Sequence, residues 1–173
     1  MSAINYDLTR IKALLFDVDG VLAATRAPLS ENGEPLRVIN FKDGYALQLA
    51  VKKGYYVGII TGGRTSAVKR RFEDLGLTHI YMGATHKVNE YILFKEKTGL
   101  TDDQILFVGD DLPDVPVLKQ VGLSVCPADA ANDVRLICRY ISPYNGGEGC
   151  GRDVIEQVMK AQGTWSGDDV FVW

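Results

Sequence analysis

Short apolar runs alternate along this chain with segments in which polar and apolar residues are mixed. The apolar runs carry almost no charge, which is typical of strands buried on both faces of a parallel sheet. Strands are predicted at residues 11–16, 57–61, 79–83, 105–110, 123–126 and 139–142. Helices are predicted at residues 44–53, 65–75, 87–98, 114–121, 129–138 and 152–162. This alternation indicates βαβ units, so we expect an α/β fold with a parallel sheet covered by helices on both faces.

Residues 21–41 interrupt the alternation of strands and helices. An Asn32-Gly33 pair lies there between two partly apolar arms, which is a β-hairpin signal. We therefore expect a small β-hairpin flap at about residues 21–41, projecting from the sheet and too short to be a second domain. Asp43, directly after the flap, is expected to cap the helix of residues 44–53.

The length of the chain fits one domain. Its 173 residues can form a substantial core, and no repeat or low-complexity segment divides them, so we expect a single domain over residues 1–173. The C-terminal tail at residues 164–173 is polar except at its end, residues 170–173. We expect that apolar end to dock on the body of this subunit or of a neighbour.

Composition narrows the classes of partner. Hydrophobic residues make up 46% of the chain and charged residues 24%, as in ordinary soluble globular proteins. The formal net charge of −3 argues against a nucleic-acid or anionic-membrane surface. The sequence has no apolar run long enough for a transmembrane helix, and its start lacks a signal-peptide pattern. Cys126, Cys138 and Cys150 lie far apart, so free thiols in a reducing cytoplasm are expected.

Carboxylates follow two of the predicted strands. Asp17 and Asp19 come directly after the first strand, and Asp110, Asp111 and Asp114 follow the fourth. Open α/β sheets bind their ligands at the carboxyl ends of their strands. An isolated acidic pair before a glycine is more often a turn, but five acids at two strand ends repel one another unless a cation joins them. Carboxylates with water suit Mg²⁺, so we expect a magnesium site.

Two further signals suggest that the ligand is a phosphate. Thr61-Gly62-Gly63 follows the second strand, where a hydroxyl and glycine N–H groups can approach an anion. Lys87 opens a later helix. Alone, the first signal is most simply a strand–helix turn and the second a surface lysine. Together with the acids they are typical of a phosphate-transfer site.

The order of these four motifs resembles the haloacid dehalogenase superfamily of phosphotransferases. The chain is more closely similar to its cap-less subfamily of 3-deoxy-D-manno-octulosonate 8-phosphate (KDO 8-phosphate) phosphatases, enzymes of the lipopolysaccharide precursor pathway. The residues that carry this closer resemblance lie at 16–22, 40–45, 61–62, 70–76, 109–114 and 146–149. The resemblance implies a Rossmann-like sheet with a hairpin flap and no cap domain. It also implies a homotetramer in which a neighbour's flap or tail closes each site.

The resemblance also implies roles for the motif residues. Asp17 would be the nucleophile that forms an aspartyl-phosphate, and Asp19 would protonate the leaving group and then activate water. Mg²⁺ would be held by Asp17, the Asp19 carbonyl and Asp110. Thr61 and Lys87 would bind the phosphoryl oxygens, where charge accumulates in the transition state.

The remaining site residues are expected to have supporting or substrate-binding roles. Asp111 and Asp114 would orient water, Lys87 or the loop backbone, and Asp114 could equally be a helix N-cap. The carboxylate of a sugar acid calls for a cation. The candidates for substrate binding are Lys42, Gly62, Gly63, Arg64 and Arg71.

Several alternatives remain open at this point. Many relatives place a basic residue at position 63 and the sialic-acid type places Glu there, whereas this chain has Gly63. The cations favour KDO 8-phosphate, with a nine-carbon sugar acid 9-phosphate as the alternative substrate. A signalling receiver domain and a non-catalytic tetramer-forming module of the same fold are the competing classes. The first fits the order of motifs poorly, and the second would be expected to lack Asp19 or Lys87.

Overall fold

A computed structural model describes residues 4–172 of the chain. Six parallel strands form one sheet in the order β3-β2-β1-β4-β5-β6. The strands are β1 (Ala13–Phe16), β2 (Tyr56–Ile60), β3 (His79–Tyr81), β4 (Ile105–Val108), β5 (Leu123–Cys126) and β6 (Tyr140–Ile141). The α-helices are α1 (Phe41–Lys52), α2 (Ser66–Asp74), α3 (Lys87–Thr98), α4 (Val115–Leu118), α5 (Asn132–Arg135) and α6 (Cys150–Ala161). Short 3₁₀ helices occur at Leu8–Arg10, Asp102–Gln104, Leu112–Asp114 and Asp168–Phe171.

The sheet is buried on both faces, which explains the uncharged runs of the sequence. In β1, Leu14 and Phe16 belong to a core that includes α1, α2 and α6. The alternate residues Ala13 and Leu15 belong to a second core with α3, α4 and α5. Successive side chains of a strand point to opposite faces, so both faces must be apolar. The predicted α/β class with helices on both faces is therefore confirmed.

The predicted helix boundaries differ most from the structure at α4 and α5. The helix predicted at residues 114–121 is a 3₁₀ turn followed by one short α-helix that contains Pro116, which has no N–H to donate. The helix predicted at 129–138 is reduced to Asn132–Arg135. The final helix starts earlier than predicted, at Cys150.

The flap contains a small hairpin. Ser30 donates to the Glu34 carbonyl at 2.8 Å, Leu36 donates to the Pro28 carbonyl at 2.8 Å, and Gly33 turns with a φ of 78°. A single antiparallel bridge, between Leu29 and Pro35, joins the arms. Since an isolated two-stranded hairpin is marginal in water, the arms do not extend into full strands.

The C-terminal segment returns to the body of the subunit. Trp165 and Val170 pack against the core on the α1 side, and the Tyr45 hydroxyl donates to the Val170 carbonyl. Phe171 and Val172 are exposed. The apolar end predicted to dock therefore does so in part, and its last residue, Trp173, lies outside the described residues. Within residues 4–172, none of the helices has the length and apolar character needed to cross a membrane.

The prediction that Asp43 caps α1 is wrong. Asn40 is the N-cap, and its side chain accepts hydrogen bonds from the N–H groups of Lys42 and Asp43 at 2.9 and 3.2 Å. The Asp43 carboxylate instead accepts from the N–H of Arg152 at 2.6 Å, in the first turn of α6. Gly149, the N-cap of α6, has no side chain that could accept this hydrogen bond. Asp43 therefore provides the acceptor for an N-terminal N–H group of α6 from across the core.

Asp43 gives the stability of the protein a specific pH dependence. Burial raises the pKa of its carboxyl group from 3.8 to about 6. Between about pH 4 and 6 the unfolded chain releases this proton while the folded chain keeps it, so the stabilisation present at low pH is lost as pH rises. From pH 4 to pH 7 we expect the unfolding free energy to fall by roughly 2 kcal/mol more than that of Asp43→Asn. Urea melts at both pH values measure this difference. Asp74→Asn, at an exposed aspartate, is the control. If the unfolding free energies of the wild type and Asp43→Asn differed by the same amount at both pH values, the prediction would be contradicted.

Candidate active site

The acids after β1 and β4 meet because these strands are neighbours. The N–H of Asp17 donates to the Val108 carbonyl at 2.9 Å, which continues the β1–β4 pairing beyond the strands. Gly20 has a φ of 82°, and a Cβ atom there would overlap the Asp110 carboxylate. Only glycine therefore allows the loop after β1 to approach the loop after β4 this closely.

A buried lysine joins two of these carboxylates. The Lys87 ammonium lies 2.6 Å from Asp17 Oδ2 and 2.6 Å from Asp114 Oδ1. All three side chains are nearly inaccessible to water. Burial opposes the charge of Lys87, but Asp17 and Asp114 outweigh it and the pKa of Lys87 is raised. Lys87 therefore carries a full positive charge at the first residue of α3, where the helix dipole alone would disfavour one.

The site nevertheless keeps an excess of negative charge. Carboxylate oxygens of Asp17, Asp110 and Asp114 all lie within 4.8 Å of one another, against the single charge of Lys87. Burial, followed by the charge of Asp114, raises the pKa of Asp17. Burial, followed by the charges of Asp17 and Asp114, raises the pKa of Asp110 to about 7. These shifts are what a group of carboxylates shows when a cation is still needed to balance it.

Asp114 and Asp111 organise the loop after β4. The Asp114 carboxylate accepts from the N–H groups of Asp110 and Asp111 at 3.0 and 3.3 Å, in addition to Lys87. The Asp111 carboxylate caps the following 3₁₀ turn, since it accepts from the N–H of Leu112 at 2.8 Å. Of the two roles left open for Asp114, the structure places its side chain on Lys87 and the loop backbone, and it makes no cap bond to α4.

The loop after β2 completes the arrangement. Thr61 is buried, and its hydroxyl accepts from the N–H of Gly63 at 3.1 Å. Gly63 in turn accepts from Gly83 at 2.9 Å, and Thr61 accepts from Ala84 at 2.9 Å. The hydroxyl and the glycine backbone are thereby fixed at the carboxyl end of β2, facing the acids of β1 and β4.

These groups line one cavity of about 630 Å³, which we call the acidic cavity. Its lining contains the predicted catalytic, metal-binding and supporting side chains together with the glycine loop: Asp17, Asp19, Thr61, Gly62, Gly63, Lys87, Asp110, Asp111 and Asp114. A carboxylate, a buried cation, a hydroxyl and a glycine-containing loop around one space can hold a tetrahedral anion beside a nucleophile.

The three predicted carboxylate-binding cations lie elsewhere. Lys42 faces a groove shared with Arg152 and other residues of α6. Arg71 lines a cavity between α2 and the flap, which we call the flap cavity. The Arg64 side chain packs over Gly83. Their roles in substrate binding stay predictions, since none of the three lines the acidic cavity as the structure describes it.

Arg37 is a residue of this site that the sequence motifs do not predict. This flap residue donates to both oxygens of Asp19, from Nε at 2.6 Å and from Nη2 at 2.8 Å. Its pKa is raised, mainly by the hydrogen bond to Asp19. The sequence feature that could have identified Arg37 is a single charge between Leu36 and Val38 in the second arm of the hairpin. Side chains alternate in an extended arm, so Arg37 lies on the opposite face from these two neighbours.

Comparisons with known proteins agree with this geometry. A family model for haloacid dehalogenase-like hydrolases matches residues 79–152. The 3-deoxy-D-manno-octulosonate 8-phosphate phosphatase of Escherichia coli K12 is 38% identical over 153 residues, covering 88% of this chain and 81% of the relative. The crystal structure of the enzyme of that name from Yersinia pestis has a TM-score of 0.89 at 34% identity, covering 93% of this chain and 87% of the other. That from Moraxella catarrhalis, in complex with magnesium, phosphate and KDO, has a TM-score of 0.87 at 30% identity, covering 95% and 93%.

Proposed function

Because the chain belongs to the 3-deoxy-D-manno-octulosonate 8-phosphate phosphatases, within the haloacid dehalogenase-like hydrolases, we propose that it is a magnesium-dependent phosphatase that converts KDO 8-phosphate to KDO and phosphate. The observation that carries this proposal is the Asp17–Lys87–Asp114 bridge beside Asp110, which faces the fixed Thr61 loop in the acidic cavity. The single domain of residues 1–173 would contain all of the catalytic side chains.

The residues present fit a magnesium ion. The metal would be held by the carboxylates of Asp17 and Asp110 and by the backbone carbonyl of Asp19. The raised pKa values of Asp17 and Asp110 support this, because burial first and the neighbouring carboxylates second disfavour their charged forms, and a bound cation would stabilise those forms. Asp114 is a weaker candidate because its oxygens already accept from Lys87 and from two N–H groups. When bound, Mg²⁺ would screen the repulsion between the nucleophile and the phosphate dianion.

In the first step, a carboxylate oxygen of Asp17 attacks phosphorus and the bond from phosphorus to the sugar oxygen breaks. Lys87, which lies 2.6 Å from Asp17, and the hydroxyl of Thr61 would bind the phosphoryl oxygens as charge accumulates on them. Asp19 protonates the sugar oxygen as it leaves. The phosphoryl group is then an acyl phosphate on Asp17.

In the second step, water replaces Asp17 on phosphorus. Asp19, now ionised, takes a proton from the water as its oxygen attacks. The bond from phosphorus to Asp17 breaks, inorganic phosphate leaves and the free carboxylate is restored. One group thus serves as acid and then as base, which requires Asp19 to be near the reacting oxygen without being the nucleophile.

We also propose that the protein acts as a homotetramer in the cytoplasm. An interface between subunits is supported by five residues of the flap and the start of α1, which expose large apolar side chains: Leu29, Leu36, Val38, Ile39 and Phe41. Several large apolar side chains exposed within one short segment are typical of a contact with another chain, and a neighbour's flap or tail would exclude water from the acidic cavity. The three free cysteines support a reducing compartment. Light scattering that gives a fully active monomer would contradict the tetramer.

A panel of phosphate esters tests the proposed function. With Mg²⁺ we expect kcat/KM for KDO 8-phosphate to exceed that for a sugar phosphate without a carboxylate by about 10- to 100-fold, the range for one charge-assisted hydrogen bond. EDTA should abolish phosphate release, and added Mg²⁺ should restore it. A nine-carbon sugar acid 9-phosphate belongs in the same panel. A higher kcat/KM for that ester would overturn the proposed substrate. Undiminished phosphate release in EDTA would overturn the proposed requirement for Mg²⁺.

A further inference from the structure

The Asp19 carboxylate is held from the flap by one arginine. Nε and Nη2 of Arg37 donate to its two oxygens at 2.6 and 2.8 Å, which is the paired geometry of a bidentate ion pair. Within residues 4–172, Arg37 makes every side-chain hydrogen bond that the Asp19 carboxylate has. The position of Asp19 in the acidic cavity therefore depends on a residue 18 positions further along the chain.

Arg37 is the fixed member of this pair. Its side chain is 9% exposed, whereas that of Asp19 is 49% exposed. Nη1 of Arg37 also donates to the Thr65 hydroxyl at 3.2 Å and to the Pro35 carbonyl at 3.4 Å. These contacts orient the plane of the guanidinium group, and that plane then orients the more exposed carboxylate.

Gly63 provides the space for the guanidinium group. A Cβ atom at position 63 would lie 3.1 Å from Nη2 of Arg37 and 3.7 Å from Oδ2 of Asp19. Gly63 is not among the glycines with positive φ, so its backbone conformation is open to other residues. A Cβ atom here would require the guanidinium group to shift by a few tenths of an ångström, so Gly63 allows Arg37 to take its observed position.

We propose that Arg37 is a positioning residue for proton transfer, which holds Asp19 in the one rotamer from which its carboxyl group reaches the leaving oxygen. This proposal rests on the acid–base role of Asp19 in the proposed function. A general acid must come within about 2.6–3.2 Å of the atom it protonates, and a misplacement of about 1 Å can cost 10²-fold in rate. The proton that Asp19 carries in the first step still passes to the sugar oxygen as the bond to phosphorus breaks, and the remaining lone pairs of the protonated carboxyl group can still accept from Arg37. Arg37 stays charged and only orients the donor.

Two esters with different leaving groups test this role. An alkoxide such as that of KDO 8-phosphate leaves poorly without a proton, whereas the p-nitrophenolate of p-nitrophenyl phosphate leaves readily without one. We expect Arg37→Ala to lower kcat/KM for KDO 8-phosphate by about 10²-fold and to change that for p-nitrophenyl phosphate by less than about threefold. The ratio kcat/KM reports only the steps up to phosphoryl transfer. The later role of Asp19 as a base therefore does not affect this measurement.

Two further substitutions separate positioning from charge and from flap folding. Arg37→Lys keeps the charge but cannot form the paired contact, so it should recover only part of the lost activity. Arg26→Ala, at an exposed arginine of the same flap, should behave like the wild type with both esters. An Arg26→Ala variant as impaired as Arg37→Ala, or full rescue by Arg37→Lys, would count against positioning.

A double-mutant cycle with Asp19→Asn completes the experiment. Asp19→Asn should itself discriminate between the two esters, and adding Arg37→Ala to it should lower kcat/KM for KDO 8-phosphate no further, since Arg37 acts through Asp19. Additive losses, or equal losses on both esters from Arg37→Ala alone, would overturn the proposal. If Asp19→Asn impairs both esters equally, the acid role of Asp19 fails first, and the positioning role of Arg37 fails with it.

Discussion

Asp17→Asn is expected to leave no measurable phosphatase activity and no phosphate on the protein. An amide oxygen is a poor nucleophile, so the first step has no attacking group. Removal of a catalytic nucleophile in other enzymes costs on the order of 10⁶-fold in kcat. The Asp114 partner of Lys87 remains, so we expect the buried bridge to persist in part and the chain to fold.

The measurement is phosphate release together with acid-quenched trapping, followed by mass spectrometry of the whole chain and its peptides. The wild type should carry phosphate on Asp17 after a brief reaction. Asp129→Asn is the matched control because Asp129 lines the same acidic cavity and has no assigned role in the chemistry, so it should retain activity. Trapped phosphate on another residue, or turnover by Asp17→Asn, would refute the assignment of the nucleophile.

Lys87→Met is expected to reduce both stability and activity. The substitution leaves Asp17 and Asp114, 7% and 1% exposed, without their shared cation. Breaking a buried ion pair from one side costs about 3–5 kcal/mol of unfolding free energy, because the remaining charge is still buried. In the folded fraction, kcat should fall by about 10²–10³-fold as the phosphoryl oxygens lose a positive charge.

Lys95→Met provides the control on the same helix. Lys95 pairs with Asp102 at 2.7 Å, but both side chains are substantially exposed, so this pair should contribute less than about 1 kcal/mol. Denaturant melts and phosphatase assays of the two variants under one set of conditions make the comparison. If Lys87→Met were as stable as Lys95→Met, the buried bridge would not have its stabilising role, and if Lys87→Met kept wild-type kcat, Lys87 would not have its catalytic role.

Much of the fold could be predicted because its signals are local. The uncharged run of β1 predicts a strand buried on both faces, and Lys87 to Gly99 gives both ends of α3, with Gly99 in the left-handed conformation that ends a helix. The family resemblance read from the motifs is confirmed by the relatives. The acids, Thr61 and Lys87 could be predicted to meet, since the carboxyl ends of parallel strands share one edge of the sheet.

The rest depends on contacts between distant parts of the chain. Asp43 looks like a helix cap because it precedes a helix, but Asn40 caps that helix and Asp43 reaches α6 across the core. Arg37 looks like an ordinary charge in an exposed hairpin until the flap folds back onto Asp19. In both cases the identity of the partner is set by tertiary packing, which a window of sequence does not contain.

The strand order also bears on how the protein folds. Ala13 of β1 pairs with Tyr56 of β2 and with Ile105 of β4, so the second pairing closes a loop about twice as long, at an extra entropic cost of about 0.6 kcal/mol. The β1–β2 pair can thus form before β4 arrives, and Asp17 meets Asp110 only when β4 docks. The mutual repulsion of the acids therefore arises when β4 docks, as the apolar faces of β1 and β4 are buried, and that burial can outweigh it.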